Sequence, residues 1–412
     1  MRILYHHRTR SADGQSVHMS GLIEALRELG HEVERVGPAA VEAAALGSEG
    51  RAVAALRRNL PRFAFELLEL GYSLVAFRRL QRAYHEFRPD ILYERYNLYL
   101  LAGLWLRRAH RLPLLLEVNA PLVRERTEHG GLALRRLARW AERRAWRSAD
   151  FVLPVTRVLA EELVAAGVPE SRVVVLPNGV PRSMVATEFD GGTVRRRLGL
   201  EGQVVLGFSG FVRDWHGLDL VIDLLAEGEL RRRCHLFVLG DGPALPALRE
   251  QARRRGIAGR VTFAGVVPRE RIAMHIAAFD IALQPRVVPY ASPLKLFEYM
   301  ALGRAILAPA SPNIREVLSD GEDALLFDPQ APGALRAALL RLVGDPLLRR
   351  RLGTAARRTL LERDLTWDGN ARRVLGLARF LTGTEPSPGE SARPAAGAEP
   401  AARLGARAGV AS

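Results

Sequence analysis

Short apolar runs alternate with amphipathic stretches, twice over, along nearly the whole of this 412-residue chain, and no feature restricts its fold more. In the first cycle residues 2–5, 32–36, 90–93, 112–118, 151–154 and 173–176 read as strands, with helical periodicity over 17–29, 98–110, 132–147 and 158–166. Strands joined through helices run parallel and are covered on both faces, because each connection must cross over the sheet. Pro177-Asn178-Gly179-Val180 is a turn signal, and a second cycle follows it. Its strands are 204–208, 235–239, 261–263, 281–284 and 305–308; its helices are 218–226, 245–255, 269–278, 294–301 and 314–318. Residues 332–343 and 346–382 read as terminal helices, and 38–88 as a mostly helical insertion. The expected architecture is α/β, with two doubly wound Rossmann-like domains, 1–180 and 181–365, facing a cleft. A helix over 366–382 returns to the first domain, and the Gly-, Pro-, Ala-, Ser- and Glu-rich tail 383–412 is expected to be disordered.

Composition narrows the chemistry. Apolar residues make up 48% of the chain, enough for two packed cores, and the single cysteine, Cys234, excludes an intramolecular disulfide or a thiolate zinc site. No apolar stretch is long enough to span a bilayer, and the opening Met-Arg-Ile-Leu-Tyr enters a strand rather than a signal peptide. A cytoplasmic protein is expected. The net charge of +15 favours anionic partners. Among the 60 basic residues Lys295 is the only lysine, and a compact ammonium does not replace a planar guanidinium at a phosphate.

Open parallel sheets bind ligands at the carboxyl ends of their strands. After the first strand, residues 6–16 form a polar loop with Gly14 leading into a helix, an arrangement that suits either a phosphate or a plain turn. Neither Gly-x-Gly-x-x-Gly nor a P-loop occurs. In the second domain the strand ends carry Gly207-Phe208-Ser209-Gly210-Phe211-Val212-Arg213-Asp214-Trp215-His216-Gly217, then Gly240-Asp241-Gly242-Pro243, Gly265-Val266, and Tyr290-Ala291-Ser292-Pro293-Leu294-Lys295-Leu296-Phe297-Glu298. Each offers backbone N–H groups or a polar side chain, and together they describe a site of nucleotide size.

These motifs, with Pro177-Asn178-Gly179-Val180 and the sixteen-residue spacing from Gly14 to Gly30-His31-Glu32-Val33, resemble the family 4 glycosyltransferases of the GT-B fold over almost all of 1–382. The resemblance implies sugar transfer with retention of configuration and without a metal or other cofactor. The donor would be a nucleotide sugar, uridine- or guanosine-diphosphate-linked. Glu298 matches the family's glutamate on the donor ribose, and the N–H groups of Leu294 and Lys295 match its diphosphate-binding helix start. Arg213 and His216 lie on the phosphate loop, Val266 beside the base, and Asn119 where many relatives have a histidine near the transferred sugar. Gly14, Gly210, Gly240, Asp241 and Ser292 complete the donor set. Two departures stand out: Tyr290 replaces the family's first motif glutamate, and His216 replaces its phosphate-loop lysine. Arg213 and Lys295 are then the candidates to stabilise the leaving phosphate, which with Asn119 makes the expected catalytic set.

The first domain is expected to hold the acceptor, a glycan or lipid-linked sugar of envelope or exopolysaccharide assembly, with Arg8, Arg10 and Arg95 as further candidates. Arginines cluster over 51–88 and 124–147. In the second cluster Leu134, Leu137, Ala138, Ala141 and Ala145 form an apolar face and leave the guanidiniums outside. Such a face is either an ordinary solvated one or a dock for the anionic inner face of the plasma membrane. No nucleic-acid partner is expected, because zinc spacing and recognition-helix signatures are lacking. The competing readings are a sugar-nucleotide epimerase on the same scaffold and a non-catalytic polyanion-binding protein.

Overall fold

The computed structural model describes residues 1–9, 14–38, 59–129 and 131–384. In the first domain the elements run β1 (Arg2–His6), α1 (Gly14–Glu28), β2 (Glu32–Val36), α2 (Arg62–Phe87), β3 (Ile91–Arg95), α3 (Ala102–His110), β4 (Leu114–Val118), α4 (Leu122–His129), α5 (Arg135–Ser148), β5 (Phe151–Pro154) and α6 (Arg157–Ala165). The second domain continues with α7 (Arg182–Ala186), α8 (Gly192–Leu198), β6 (Val204–Ser209), α9 (Leu218–Leu225), α10 (Gly228–Arg233), β7 (Cys234–Leu239), α11 (Leu245–Arg254), β8 (Val261–Gly265), α12 (Arg269–Ile276), β9 (Ile281–Leu283), α13 (Leu294–Ala301), β10 (Ala305–Pro309), α14 (Pro312–Arg315), β11 (Leu325–Phe327), α15 (Ala334–Gly344) and α16 (Pro346–Glu362). α17 (Trp367–Leu381) closes the described chain.

Both sheets are parallel throughout, in the orders β2-β1-β3-β4-β5 and β11-β10-β9-β6-β7-β8. The fold class is therefore the one expected, two doubly wound domains. In each order the sequence direction reverses once, at β1/β3 in the first sheet and at β6/β9 in the second. These reversals open the crevices in which such sheets take ligands. Central strands such as β3, β4 and β7 are buried along their whole length, as strands covered on both faces must be.

The last helix returns to the first domain. Trp367, Ala371, Val374, Leu375 and Ala378 of α17 share one apolar cluster with Ile3, Tyr5, Leu22 and Leu26. Gly21 of α1 lies so close to the Trp367 ring that a β-carbon there would overlap it. The two interdomain crossings run side by side: Trp367 N donates to Val180 O at 3.0 Å, and Asn370 Nδ2 to Pro177 O at 2.7 Å. Thr366 caps α17 by accepting from Gly369 N at 3.0 Å, which ends the second domain's helices and starts the returning one within a few residues.

Residues 173–176 do not form the expected strand. They follow β5 all the same: Val173 bridges Val152, Val174 N donates to Val152 O at 3.0 Å and Leu176 N to Pro154 O at 2.8 Å, after which the chain enters the crossing at 177–180. A sixth strand of the second sheet, β11, was not expected, because its three residues carry no alternation to read. Arg10, residues 39–58 with Arg51, Arg57 and Arg58, and the tail from 385 lie outside the described residues. Among the described residues no helix is long and apolar enough to cross a membrane.

Candidate active site

The second domain's crevice is built by loops stacked on one another at the strand ends. Gly210 N donates to Leu239 O at 2.9 Å, Val212 N to Asp241 O at 2.8 Å, and Gly240 N to Gly265 O at 2.8 Å. Gly210 and Gly240 have φ of 125° and 118°, and a β-carbon on Gly240 would overlap Gly210 O. Gly240 thus acts by letting two backbones meet. Asp241 is exposed and accepts from Gly242 N at 2.7 Å, so its carboxylate shapes its own loop.

Lys295, in the first turn of α13, lies over this floor. Its Nζ sits 3.8 Å from the centroid of the Phe208 ring, and a β-carbon on Gly210 would lie 3.3 Å from Lys295 Cε. Burial pushes the ammonium down to about 7, opposed only in part by Glu298 one turn on. Glu298 is shifted up by burial, against the pull of Lys295, Arg269 and the Ser209 hydroxyl. Among the described residues Lys295 has no carboxylate within ion-pair distance. A half-buried cation at a helix N-terminus without an ion-pair partner is arranged to receive an anion.

Arg213 and His216 border the same crevice. The Arg213 guanidinium lies 4.8 Å from both the Phe211 and Trp215 rings, which hold it in place. His216 Nδ1 accepts from Arg213 N at 3.1 Å, and burial, with the neighbouring Lys295 and Arg213 charges, lowers the ring to about 2. His216 is therefore a neutral imidazole whose Nε2 carries the proton, a hydrogen-bond donor where a charge was missing. Val266 stands 59% exposed at the rim, an apolar surface open to a flat ring.

Across the cleft the first domain offers Gly14 at the start of α1, where a β-carbon would lie 3.3 Å from Leu294 Cδ1. The glycine loop and the α13 N-terminus therefore face each other. Asn119, at the end of β4, donates through Nδ2 to Glu117 Oε1 at 2.5 Å. Glu117 also accepts from Tyr93 Oη at 2.7 Å, Arg95 Nη1 at 2.5 Å and His18 Nε2 at 2.9 Å. Burial opposes its charge, but His18, Arg95 and these hydrogen bonds outweigh it and hold the carboxyl far below the usual range. Arg95 is thereby committed to a buried pair and is not free for an acceptor. At the β1/β3 reversal a second buried pair joins His6 Nδ1 to Glu94 Oε2 at 2.5 Å. Sequence reasoning singled out neither Glu117 nor Glu94; the available signal was a carboxylate at the carboxyl end of an otherwise apolar strand.

The loop before α13 is also held by the first domain. Tyr290 was expected among the donor contacts, but its ring, 8% exposed, lies 4.9 Å from the Arg124 guanidinium, and its backbone oxygen accepts from Thr156 Oγ1 at 3.1 Å. An aromatic ring buries itself under a cation here, where a carboxylate would have stayed hydrated. Ser292 O accepts from Asn178 Nδ2 at 2.5 Å. Leu294 packs against the first domain's apolar cluster. The structure thus gathers Gly14, Gly210, Ser292, Leu294, Lys295 and Glu298 around one cleft, with Arg213 and His216 on the loop that follows β6. Among the described residues no group of three or more His, Cys, Asp or Glu side chains is placed to hold a metal ion.

Two family models match in tandem: a glycosyl transferase 4-like domain over residues 13–179, and glycosyl transferases group 1 over 203–345. The chain is similar to the alpha-D-kanosaminyltransferase of Streptomyces kanamyceticus, 29% identical over 53% of this chain and 58% of that one. It is also similar to a GDP-mannose-dependent alpha-(1-6)-phosphatidylinositol monomannoside mannosyltransferase of Mycolicibacterium smegmatis, 28% identical over 61% and 67%. The matched region thus spans little more than half to two thirds of these relatives. Among solved structures the Anabaena protein HepE in complex with UDP superposes with a TM-score of 0.70 at 19% identity, covering 92% of this chain and 99% of the other.

Proposed function

From a chain whose two domains belong to the glycosyltransferases of the GT-B fold, we propose a specific division of labour: the second domain holds a nucleoside diphosphate sugar, and the first presents the acceptor. The observation that carries this reading is Lys295, a lone half-buried ammonium at the start of α13 with Glu298 one turn away and the Gly14 loop facing it. Glu298 receives the ribose hydroxyls. Lys295, Arg213, the His216 Nε2–H and the α13 N-terminus take up the charge of the leaving diphosphate. Transfer proceeds with retention of configuration, with Asn119, oriented by Glu117, beside the transferred sugar. Uridine and guanosine diphosphates are the donor bases to try first, since one similar structure holds UDP and one relative is GDP-mannose-dependent. Stabilisation by one such series, lost in Glu298→Ala, tests the donor site.

The shifted lysine gives donor binding a pH dependence. The diphosphate pairs with the ammonium form, which in the free protein is depleted above about pH 7, so binding draws a proton onto Lys295. Calorimetry at pH 8 in buffers of different ionisation enthalpy should show net proton uptake. Affinity should weaken as pH rises above 7, and Lys295→Arg should flatten that slope. Absence of uptake would contradict the assignment.

The acceptor side carries a charged face suited to a lipid-borne substrate. Arg136, Arg139, Trp140, Arg143, Arg144 and Arg147 line a surface hollow of about 510 Å³ along α5, with Trp140 53% exposed. Arg124 and Arg126, counted with this cluster in the sequence, instead pair with Glu162 and Glu69. Arg135, Arg136, Arg139, Arg143 and Arg144 have no carboxylate partner among the described residues. Next to α5, α2 exposes Phe63, Leu67 and Leu68, and Glu66 between them accepts from Ala133 N and Leu134 N at the start of α5. Cations around an exposed indole, beside exposed apolar side chains, match an anionic bilayer surface. The protein then works as a peripheral enzyme at the cytoplasmic membrane face, in assembly of envelope or extracellular polysaccharide. Sedimentation with phosphatidylglycerol vesicles should fall roughly a hundredfold in affinity when Arg136, Arg139 and Arg143 become alanine, about 1 kcal/mol for each charge. Equal binding to neutral vesicles would refute the electrostatic dock.

A further inference from the structure

His18 lies where α1 meets both interdomain crossings. The residue is 3% exposed, its ring packs edge-on to Trp367 at 4.9 Å, and each ring nitrogen faces an oxygen. Nδ1 is 2.6 Å from Asn178 Oδ1, and Nε2 is 2.9 Å from Glu117 Oε2. The Asn178 amide cannot be turned around, because its Nδ2 already donates to Ser292 O. Both partners of His18 are therefore acceptors. A neutral imidazole satisfies only one of them; a ring with a proton on each nitrogen satisfies both.

We propose that His18 is a positioning residue which, as a doubly protonated ring, ties the acceptor-side strand end to the donor-side helix. The connection runs Glu117, His18, Asn178, Ser292, and ends three residues before Lys295. It rests on the reading of the α13 N-terminus as the donor phosphate site, but its geometry exists without donor. The groups facing the ring are Glu117, with Arg95 and Tyr93 on the far side of that carboxylate, Asn178 at the crossing and Trp367 from α17. Removing one ring proton sets a nitrogen lone pair against either the Glu117 carboxylate or Asn178 Oδ1. The bridge is whole only with a proton on each ring nitrogen; without one of them the hold of the first domain on Ser292 weakens, and the α13 start loosens.

Amide hydrogen exchange on the full-length, nucleotide-free protein reads this directly. In His18→Gln, and in Asn178→Asp, which keeps an acceptor for His18 but loses the donor to Ser292, protection over 290–297 should drop about tenfold or more. Residues 234–239 of β7 should keep their protection. A merely structural histidine would loosen α1 and leave the protection at 290–297 unchanged. Unchanged protection there in a folded His18→Gln overturns the proposal. If both variants fail to fold, ring-15N spectra of the wild type at neutral pH decide: one buried histidine with both nitrogens protonated supports it, and none overturns it. Because every readout is taken without nucleotide, failure of the bridge is distinguishable from failure of the donor-site reading, which would show as no stabilisation by any nucleoside diphosphate.

Discussion

Replacing Lys295 by alanine is expected to lower turnover by about 10²- to 10³-fold, read as release of the nucleoside diphosphate, while the melting temperature stays level or rises. The two halves of that result have one cause. The ammonium stands over the Phe208 ring, shifted down by burial and without an ion-pair partner among the described residues, so in the empty protein it is an electrostatic liability. On the proposed donor-site reading it is the compact positive charge at the helix start where the leaving phosphate would gather charge. Arginine at the same position restores charge but not the point geometry, and should recover only part of the rate. A Lys295→Ala protein with near-normal turnover, or with markedly lower stability, would remove Lys295 from the chemistry and make it a packing residue.

Glu117→Ala should be the most destabilising single change near the cleft, costing about 3–5 kcal/mol in denaturant unfolding of the first domain. The carboxylate is 1% exposed and accepts from His18, Tyr93, Arg95 and Asn119 at once, so its loss strands a buried guanidinium and leaves three other donors unpaired. Its carboxyl is held below the usual range in the folded chain, so this contribution is present at neutral pH and lost as pH falls below the ordinary carboxylate range. The gap between wild type and variant should therefore narrow on acidification. A gap that is small at pH 7, or unchanged by acid, would contradict the account of this carboxylate as the hub.

What could be read from the sequence follows from the range over which each interaction acts. Strand and helix periods are local, so β1 through β10 and the principal helices between them were legible, and so were the two cycles that make two domains. Three-residue β11 lacks a period, and residues 173–176, with the apolar pattern of a strand, follow β5 through two backbone hydrogen bonds without forming a regular strand before the crossing. In the second domain the donor candidates lie on successive strand ends, which parallel topology brings together without further information. The hub on Glu117 joins residues 18, 93, 95, 117 and 119 and, through Asn178, reaches residue 292, so no spacing announces it. Tyr290 shows the same limit in reverse: its number in the motif pointed to the donor, but Arg124, 166 positions away, took its ring.

The central claim is that the α13 N-terminus and Glu298 hold a nucleoside diphosphate sugar. A thermal-shift titration of full-length protein with uridine, guanosine and adenosine diphosphates and their sugars, run beside Glu298→Ala, tests it most directly. Ligand binding to the folded state alone raises stability by about 2.7 kcal/mol at a hundredfold excess over Kd. The account predicts stabilisation by one base series in the wild type and loss of most of it in Glu298→Ala, whose own melting temperature stays close to wild type. No stabilisation by any base, or equal stabilisation of both proteins, would contradict it.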